Sequence, residues 1–156
     1  PGTGLMMNNG IMWFDPRPGH PNSIRPGGYP LSNMCPTIIR RSDDVWFALG
    51  ASGGRRIMPA VFQLSSFLVD FKMPLDDAVH SPRVDFSGSV TVTANNRLSA
   101  ETLERLGSRF EVQVVQDSVY PNYFACPNVV GRDTGTGLNL GAAFVNSPWA
   151  KATPAD

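Results

Sequence analysis

Apolar residues return at spacings of four, three, four and three through Ile57, Val61, Leu64, Leu68 and Phe71, which is a helical period. Met58, Phe62 and Val69 widen that stripe, so the pattern predicts a helix covered over most of its circumference. Upstream, residues 37–41 and 45–51 are rich in β-favouring side chains and flank Ser42-Asp43-Asp44, which suits a hairpin turn between two antiparallel strands. The second strand runs into Gly50-Ala51-Ser52-Gly53-Gly54, so the long helix starts just after the glycines. Lys72-Met73-Pro74 interrupts it. Residues 74–80 then form a second short helix, because proline is tolerated in a first turn and Asp76 and Asp77 favour the positive helix end. A strand over 90–93 follows, then a helix over 100–106 with Ser99 as N-cap and Gly107 as its close, then a strand over 111–116. Two more strands, 124–130 and 138–145, are joined by the turn-rich residues 131–137. This order predicts an α+β fold with a mostly antiparallel sheet.

The opening of the chain is different in kind. Residues 1–36 hold seven of the 14 prolines and six of the 15 glycines, and only Asp15, Arg17 and Arg25 are charged there. Prolines withhold ladder donors, so the stretch reads as loop. Met12, Trp13, Phe14, Ile24, Tyr29 and Leu31 give it apolar anchors that a disordered linker lacks, and loops of this length in compact domains tend to be functional. The organisation expected is one domain over 1–156, with an ordered Pro/Gly-rich loop (1–36) over a site and an α+β body (37–156).

Charge and composition then exclude several classes. The chain has 156 residues, 13 basic and 13 acidic, with 42% hydrophobic content, so it has the apolar supply of a globular protein. That balance leaves no broad basic footprint, and nucleic acid is not an expected partner. No apolar run approaches the roughly 20 residues of a spanning helix, so no membrane partner is expected either. Cys35 and Cys126 are too few for a disulfide framework and read as free, partly buried thiols. His20 and His80 stand apart from any clustered ligand spacing, so no metal and no cofactor is expected.

Chemistry has two candidate places. A strand, Gly53-Gly54, then a helix exposes backbone to close approach and presents N–H groups with no internal acceptor, a setting for an anion or a developing oxyanion. The same glycines also suit a plain connecting turn. No Gly-Lys-Ser/Thr follows, so this is no phosphate-binding loop of that type. In Pro30-Leu31-Ser32-Asn33-Met34-Cys35-Pro36, Ser32 and Asn33 can donate to a ligand carboxylate or amide, or satisfy their own turn. Cys35 has no neighbouring group in sequence to activate it as a nucleophile. Trp13 and Phe14 fit a pocket lining or a buried plug.

Taken in order, several motifs resemble the C-terminal part of the small subunit of the gamma-glutamyltransferase family, within the N-terminal-nucleophile hydrolases. They are Gly4-Leu5-Met6-Met7-Asn8-Asn9, Pro21-Asn22-Ser23-Ile24, Arg25-Pro26-Gly27, Pro30 to Thr37, Gly50 to Ile57, and Ala78-Val79-His80-Ser81-Pro82-Arg83. The resemblance implies an αββα sandwich made from a self-cleaving precursor, in which an N-terminal threonine is the nucleophile and its own amine the base. It places that threonine upstream of Pro1, since neither Thr3 nor Thr37 has the Thr-Thr-His setting. The chain is therefore expected to be a fragment, inactive alone, with the rest of the precursor and a small amide as partners. Gly53 and Gly54 match the family's oxyanion-hole pair, and Ser32 matches a residue that holds the substrate's α-carboxylate.

Departures from the family pattern bear on the substrate. Where the family typically reads Asn-Asn-Gln-Met-Asp-Asp-Phe, this chain reads Asn8-Asn9-Gly10-Ile11-Met12-Trp13-Phe14, so Gly10 and Trp13 replace a glutamine and an aspartate that contact the α-amino group. Losing that carboxylate forfeits on the order of 2 to 5 kcal/mol of ammonium recognition. Asn33 replaces the second serine of a Ser-Ser pair, and the tail ends Ser147-Pro148-Trp149-Ala150 without Asp-Pro-Arg. The resemblance thus implies a divergent amidohydrolase or acyltransferase, nearer the cephalosporin-acylase-like branch. The alternative is a non-catalytic or truncated relative acting as a structural or binding piece.

Overall fold

The computed structural model describes residues 2–4, 9–88, 90–120 and 122–152; Leu5 to Asn8 of the first motif lie outside the described residues. The chain divides into two compact units, 1–33 and 34–156.

In the larger unit a four-stranded antiparallel sheet has the order β1-β2-β6-β7, from β1 (Thr37–Arg40), β2 (Val45–Ser52), β6 (Cys126–Asp133) and β7 (Leu138–Ala143). β1 and β2 form the expected hairpin, with Val45 N–H donating to Ser42 Oγ in the turn. Side chains alternate across a strand, so Phe47, Leu49, Val129 and Ala142 fall on one face. Helix α1 (Ile57–Val69) lays Ile57, Val61, Leu64 and Leu68 on that face, and α2 (Leu75–His80) adds Ala78 and Val79. This is the hydrophobic core. The opposite face carries the cross-strand row Ile38, Ala48, Val130, and Ile38 and Val130 are exposed.

A smaller three-stranded sheet has the order β3-β4-β5, from β3 (Val84–Asp85), β4 (Val92–Asn95) and β5 (Val112–Val115), with β3–β4 antiparallel and β4–β5 parallel. The crossover between β4 and β5 is α3 (Ala100–Gly107), whose Ser99 cap accepts from Thr102 N–H. Gln63 of α1 joins this sheet to the core helix: its Oε1 accepts Val84 N–H at 2.9 Å and its Nε2 donates to Val84 O at 2.8 Å. Arg83 is buried beside it, donating to Val79 O at 2.8 Å with its guanidinium 4.7 Å over the Phe144 ring; burial pushes its pKa down to about 10.

Several expectations need correction. Helix α1 is covered over most of its circumference as expected, but Met58 and Phe62, expected to widen the apolar stripe, point away from the sheet on which it lies and are exposed. Pro74 is the N-cap of α2 and not a helical residue. β3 was missed, since two residues carry no readable alternation. β4 sits two positions later than expected at its start, where Val92 N–H donates to Glu111 O and pairing with β5 sets the register. β6 continues through Gly131 to Asp133, because a residue without a Cβ is what allows the strand to lie against the Phe47 ring.

Candidate functional site

The turn from β2 into α1 is built by two glycines in conformations that L side chains rarely adopt. Gly53 has φ +147° and Gly54 has φ +63°. One turn of 3-10 helix (Gly54–Arg56) follows and leads directly into α1, so the helix begins one turn beyond the glycines. Gly53 is exposed, and its N–H has no hydrogen-bond acceptor among the described residues, while its carbonyl accepts from Arg56 N–H at 3.3 Å. Behind it stands Ala125, itself at φ +57°. The turn therefore presents backbone at the positive end of a helix, held open by a close approach on its other side.

An open hollow of about 420 Å³ adjoins this turn, lined by Gly53, Gly54, Arg55 and Arg56 and, from the smaller sheet, by Asp85 and Thr93 among others. Asp85 is buried; its Oδ2 accepts from Ser87 Oγ at 3.0 Å and lies 3.7 Å from Arg56 Nε. Arg56 is thereby drawn toward β3. Sequence reading missed Asp85 and Ala125, because each comes to the turn from a distant segment and neither sits in a motif.

Gly10, Trp13, Ser32 and Asn33 lie in the 1–33 unit. Gly10 and Trp13 share one turn of 3-10 helix (Gly10–Trp13), both half-buried. Ser32 is exposed and Asn33 half-buried, both outside any helix or strand. Asn22 connects these two places, donating from Nδ2 to Trp13 O at 2.6 Å and accepting Leu31 N–H on Oδ1 at 3.0 Å. Asp15, a carboxylate close to Trp13 in sequence, is held by Arg17: its Oδ1 accepts from the Arg17 amide and Nε, and its Oδ2 from Nη2 at 2.7 Å. Those bonds hold the Asp15 carboxyl well below the usual carboxylate range.

Cys35 and Cys126 are unbridged, the first half-buried and the second buried. Burial pushes the Cys126 thiol up, and Asn122 Nδ2 donates to its sulfur at 2.9 Å. No helix among the described residues is long and apolar enough to cross a membrane.

A sequence model of the family described as Gamma-glutamyltranspeptidase matches residues 1–143. The chain belongs to this family. The resemblance carried by the motifs is thereby confirmed. Among its relatives, the acylase ACY 1 proenzyme of Pseudomonas sp. (strain SE83) is 41% identical over 90 residues, covering 58% of this chain and 16% of that protein. The glutathione hydrolase proenzyme of Bacillus subtilis subsp. natto is 31% identical over 113 residues, 70% of this chain and 19% of that protein. The chain thus spans less than a fifth of the length of these two gamma-glutamyltranspeptidase-family relatives. Among solved structures, gamma-glutamyltranspeptidase from Pseudomonas nitroreducens superposes with a TM-score of 0.74 at 23% identity, covering 99% of this chain and 84% of that one. Cephalosporin acylase from Bacillus halodurans gives 0.71 at 24%, covering 94% and 27%. These likenesses establish the fold, a mixed α+β architecture with a mostly antiparallel sheet.

Proposed function

We propose that this chain is the part of an acyl-transferring amidohydrolase that supplies the oxyanion hole and part of the acyl pocket. The nucleophile is an N-terminal threonine on the remainder of the precursor. Its Oγ attacks the amide carbonyl carbon while its own α-amine takes the hydroxyl proton and delivers it to the leaving amine. The carbonyl oxygen turns negative in that step, and the Gly53 and Gly54 amides donate to it. The observation that carries this reading is the Gly53 turn: an exposed glycine whose N–H has no acceptor among the described residues, one 3-10 turn ahead of a 13-residue helix, beside an open hollow. Donors fixed before the charge develops need no reorganisation when it does. Water, or an amine, then releases the acyl group.

In this reading Ser32 and Asn33 hold a carboxylate of the acyl group, and Gly10 and Trp13 shape the end where a gamma-glutamyl donor carries its ammonium. Trp13 offers that ammonium no counter-charge, and Asp15 is engaged by Arg17. An acyl group that is flat or lacks the amine fits better, in keeping with the 41% identity to an acylase proenzyme. Hydrolysis of glutaryl and γ-glutamyl anilides by the complete processed protein tests this. The glutaryl compound is expected to be preferred. A strong preference for the γ-glutamyl compound refutes the pocket assignment, and hydrolysis of neither refutes the acyl-transfer reading.

A further inference from the structure

The motif Pro21-Asn22-Ser23-Ile24 has no task in the acyl-transfer reading, yet one of its side chains makes the connection that the pocket needs. Asn22 is half-buried and stands nine residues from both Trp13 and Leu31. Its Nδ2 donates to Trp13 O at 2.6 Å, its Oδ1 accepts Leu31 N–H at 3.0 Å, and its backbone carbonyl accepts Asp15 N–H at 2.8 Å. The turn bearing Gly10 and Trp13 is thus tied to the residue directly before Ser32 through one planar amide. The task requires a donor and an acceptor on the same short side chain; aspartate has no donor at neutral pH, and glutamine is one methylene longer. Ser23, next to it, secures only the local loop, with its Oγ donating to Arg17 O at 2.5 Å and accepting His20 N–H at 2.8 Å.

We propose that Asn22 is a positioning residue that fixes the spacing between Trp13 and Ser32 and so sets acyl selectivity. The inference rests on the proposed function, since Trp13 and Ser32 matter here only as walls of an acyl pocket. Both contact the acyl group away from the reacting carbonyl, so losing their spacing weakens ground state and transition state alike. The signature is therefore in KM.

The test measures kcat and KM for glutaryl and γ-glutamyl anilides with the complete processed protein, comparing wild type with Asn22→Ala, Trp13→Ala, the double variant and Ser23→Ala. Asn22→Ala is expected to raise KM for the preferred anilide about tenfold, the scale of one hydrogen bond, with kcat within about twofold. In the Trp13→Ala background the same change is expected to cost less than about twofold, because Asn22 acts through Trp13. Ser23→Ala is expected to leave both KM values unchanged. Equal effects of Asn22→Ala in both backgrounds, or a fall in kcat with KM intact, overturn the proposal. Should Asn22→Ala fail to accumulate, Asn22→Asp replaces it with the same expectations, since it keeps the acceptor for Leu31 and loses the donor to Trp13. Hydrogen exchange at the Leu31 amide reads the clamp without turnover: protection falls in Asn22→Ala and not in Ser23→Ala, and unchanged protection overturns the clamp. A wild-type protein that cleaves neither anilide overturns the acyl-transfer reading, and the selectivity assigned to Asn22 with it. An active wild type whose KM ignores Asn22 overturns this inference alone.

Discussion

A Cβ built on Gly53 would stand 2.6 Å from the Cβ of Ala125 and 2.7 Å from its Cα, closer than non-bonded carbons approach. The loop before β6 therefore backs the turn between β2 and α1, and Gly53 is required twice: by its φ of +147° and by the space Ala125 takes. A side chain at Gly53 has to displace backbone, and the displaced backbone belongs to a residue that lines the hollow.

Gly53→Ala is accordingly expected to lower kcat of the complete protein by about 10² to 10³, the scale of one lost oxyanion donor. Combining it with Ala125→Gly removes the contact with the Ala125 Cβ and leaves the 2.7 Å approach to the backbone Cα and the φ strain. The double variant should recover about 1 kcal/mol or more of stability relative to Gly53→Ala, measured by urea unfolding. Strict additivity of the two single changes would show that the contact is not the cause.

Trp13→Asp puts a carboxylate at the position where the family resemblance implies one. It is expected to shift the ratio of kcat/KM values toward the γ-glutamyl anilide by about two decades or more. An unchanged ratio would remove Trp13 from the pocket.

Gln63→Leu removes both bonds to Val84 and leaves a buried-edge N–H and C=O without them. The expected cost is about 1 to 3 kcal/mol in urea unfolding, together with faster hydrogen exchange at the Val84 amide. Slow exchange in the variant would mean that the smaller sheet holds β3 unaided.

Cys126 gives a pH dependence of definite sign. Its thiol is raised above the ordinary value by burial, so the folded chain keeps that proton to higher pH than the unfolded chain does. The contribution is fully present below the unfolded thiol pKa and is lost as pH rises through the folded one. Cys126→Ala should flatten the alkaline limb of a stability-against-pH curve, and a thiol reagent at pH 8 should reach Cys126 only after denaturant is added.

The sheet face bearing Ile38, Ala48 and Val130 is open, and this bears on how the 156 residues behave on their own. Ile38 is 75% and Val130 52% exposed, in one cross-strand row on the side away from α1. The 156 residues expressed alone are expected to aggregate, or to bind the remainder of the precursor when it is supplied. A compact soluble monomer on size-exclusion chromatography would refute this.

Local rules made much of this readable. The spacing from Ile57 to Leu68 placed α1, Ser99 placed the start of α3, and the Ser42 turn placed the first hairpin, each an interaction within a few residues of chain. The glycine pair was likewise legible as a helix entry. What escaped had its cause elsewhere in the chain: the two residues of β3 are a strand only because Val84 and Asp85 pair with β4. Gly131 is a strand residue because the Phe47 ring lies against it.

The order of the helices and of the strands other than β3, the α+β class and the family were set by composition, periodicity and motif order, because those express local backbone preference and a shared ancestry of spacing. Which side of α1 is covered, which residue backs Gly53, and which side chain joins Trp13 to Leu31 came only with the folded chain. Close approaches between Ala125 and Gly53, and a donor and acceptor on one Asn22 amide, depend on distances between segments, and no local pattern of residues encodes a distance.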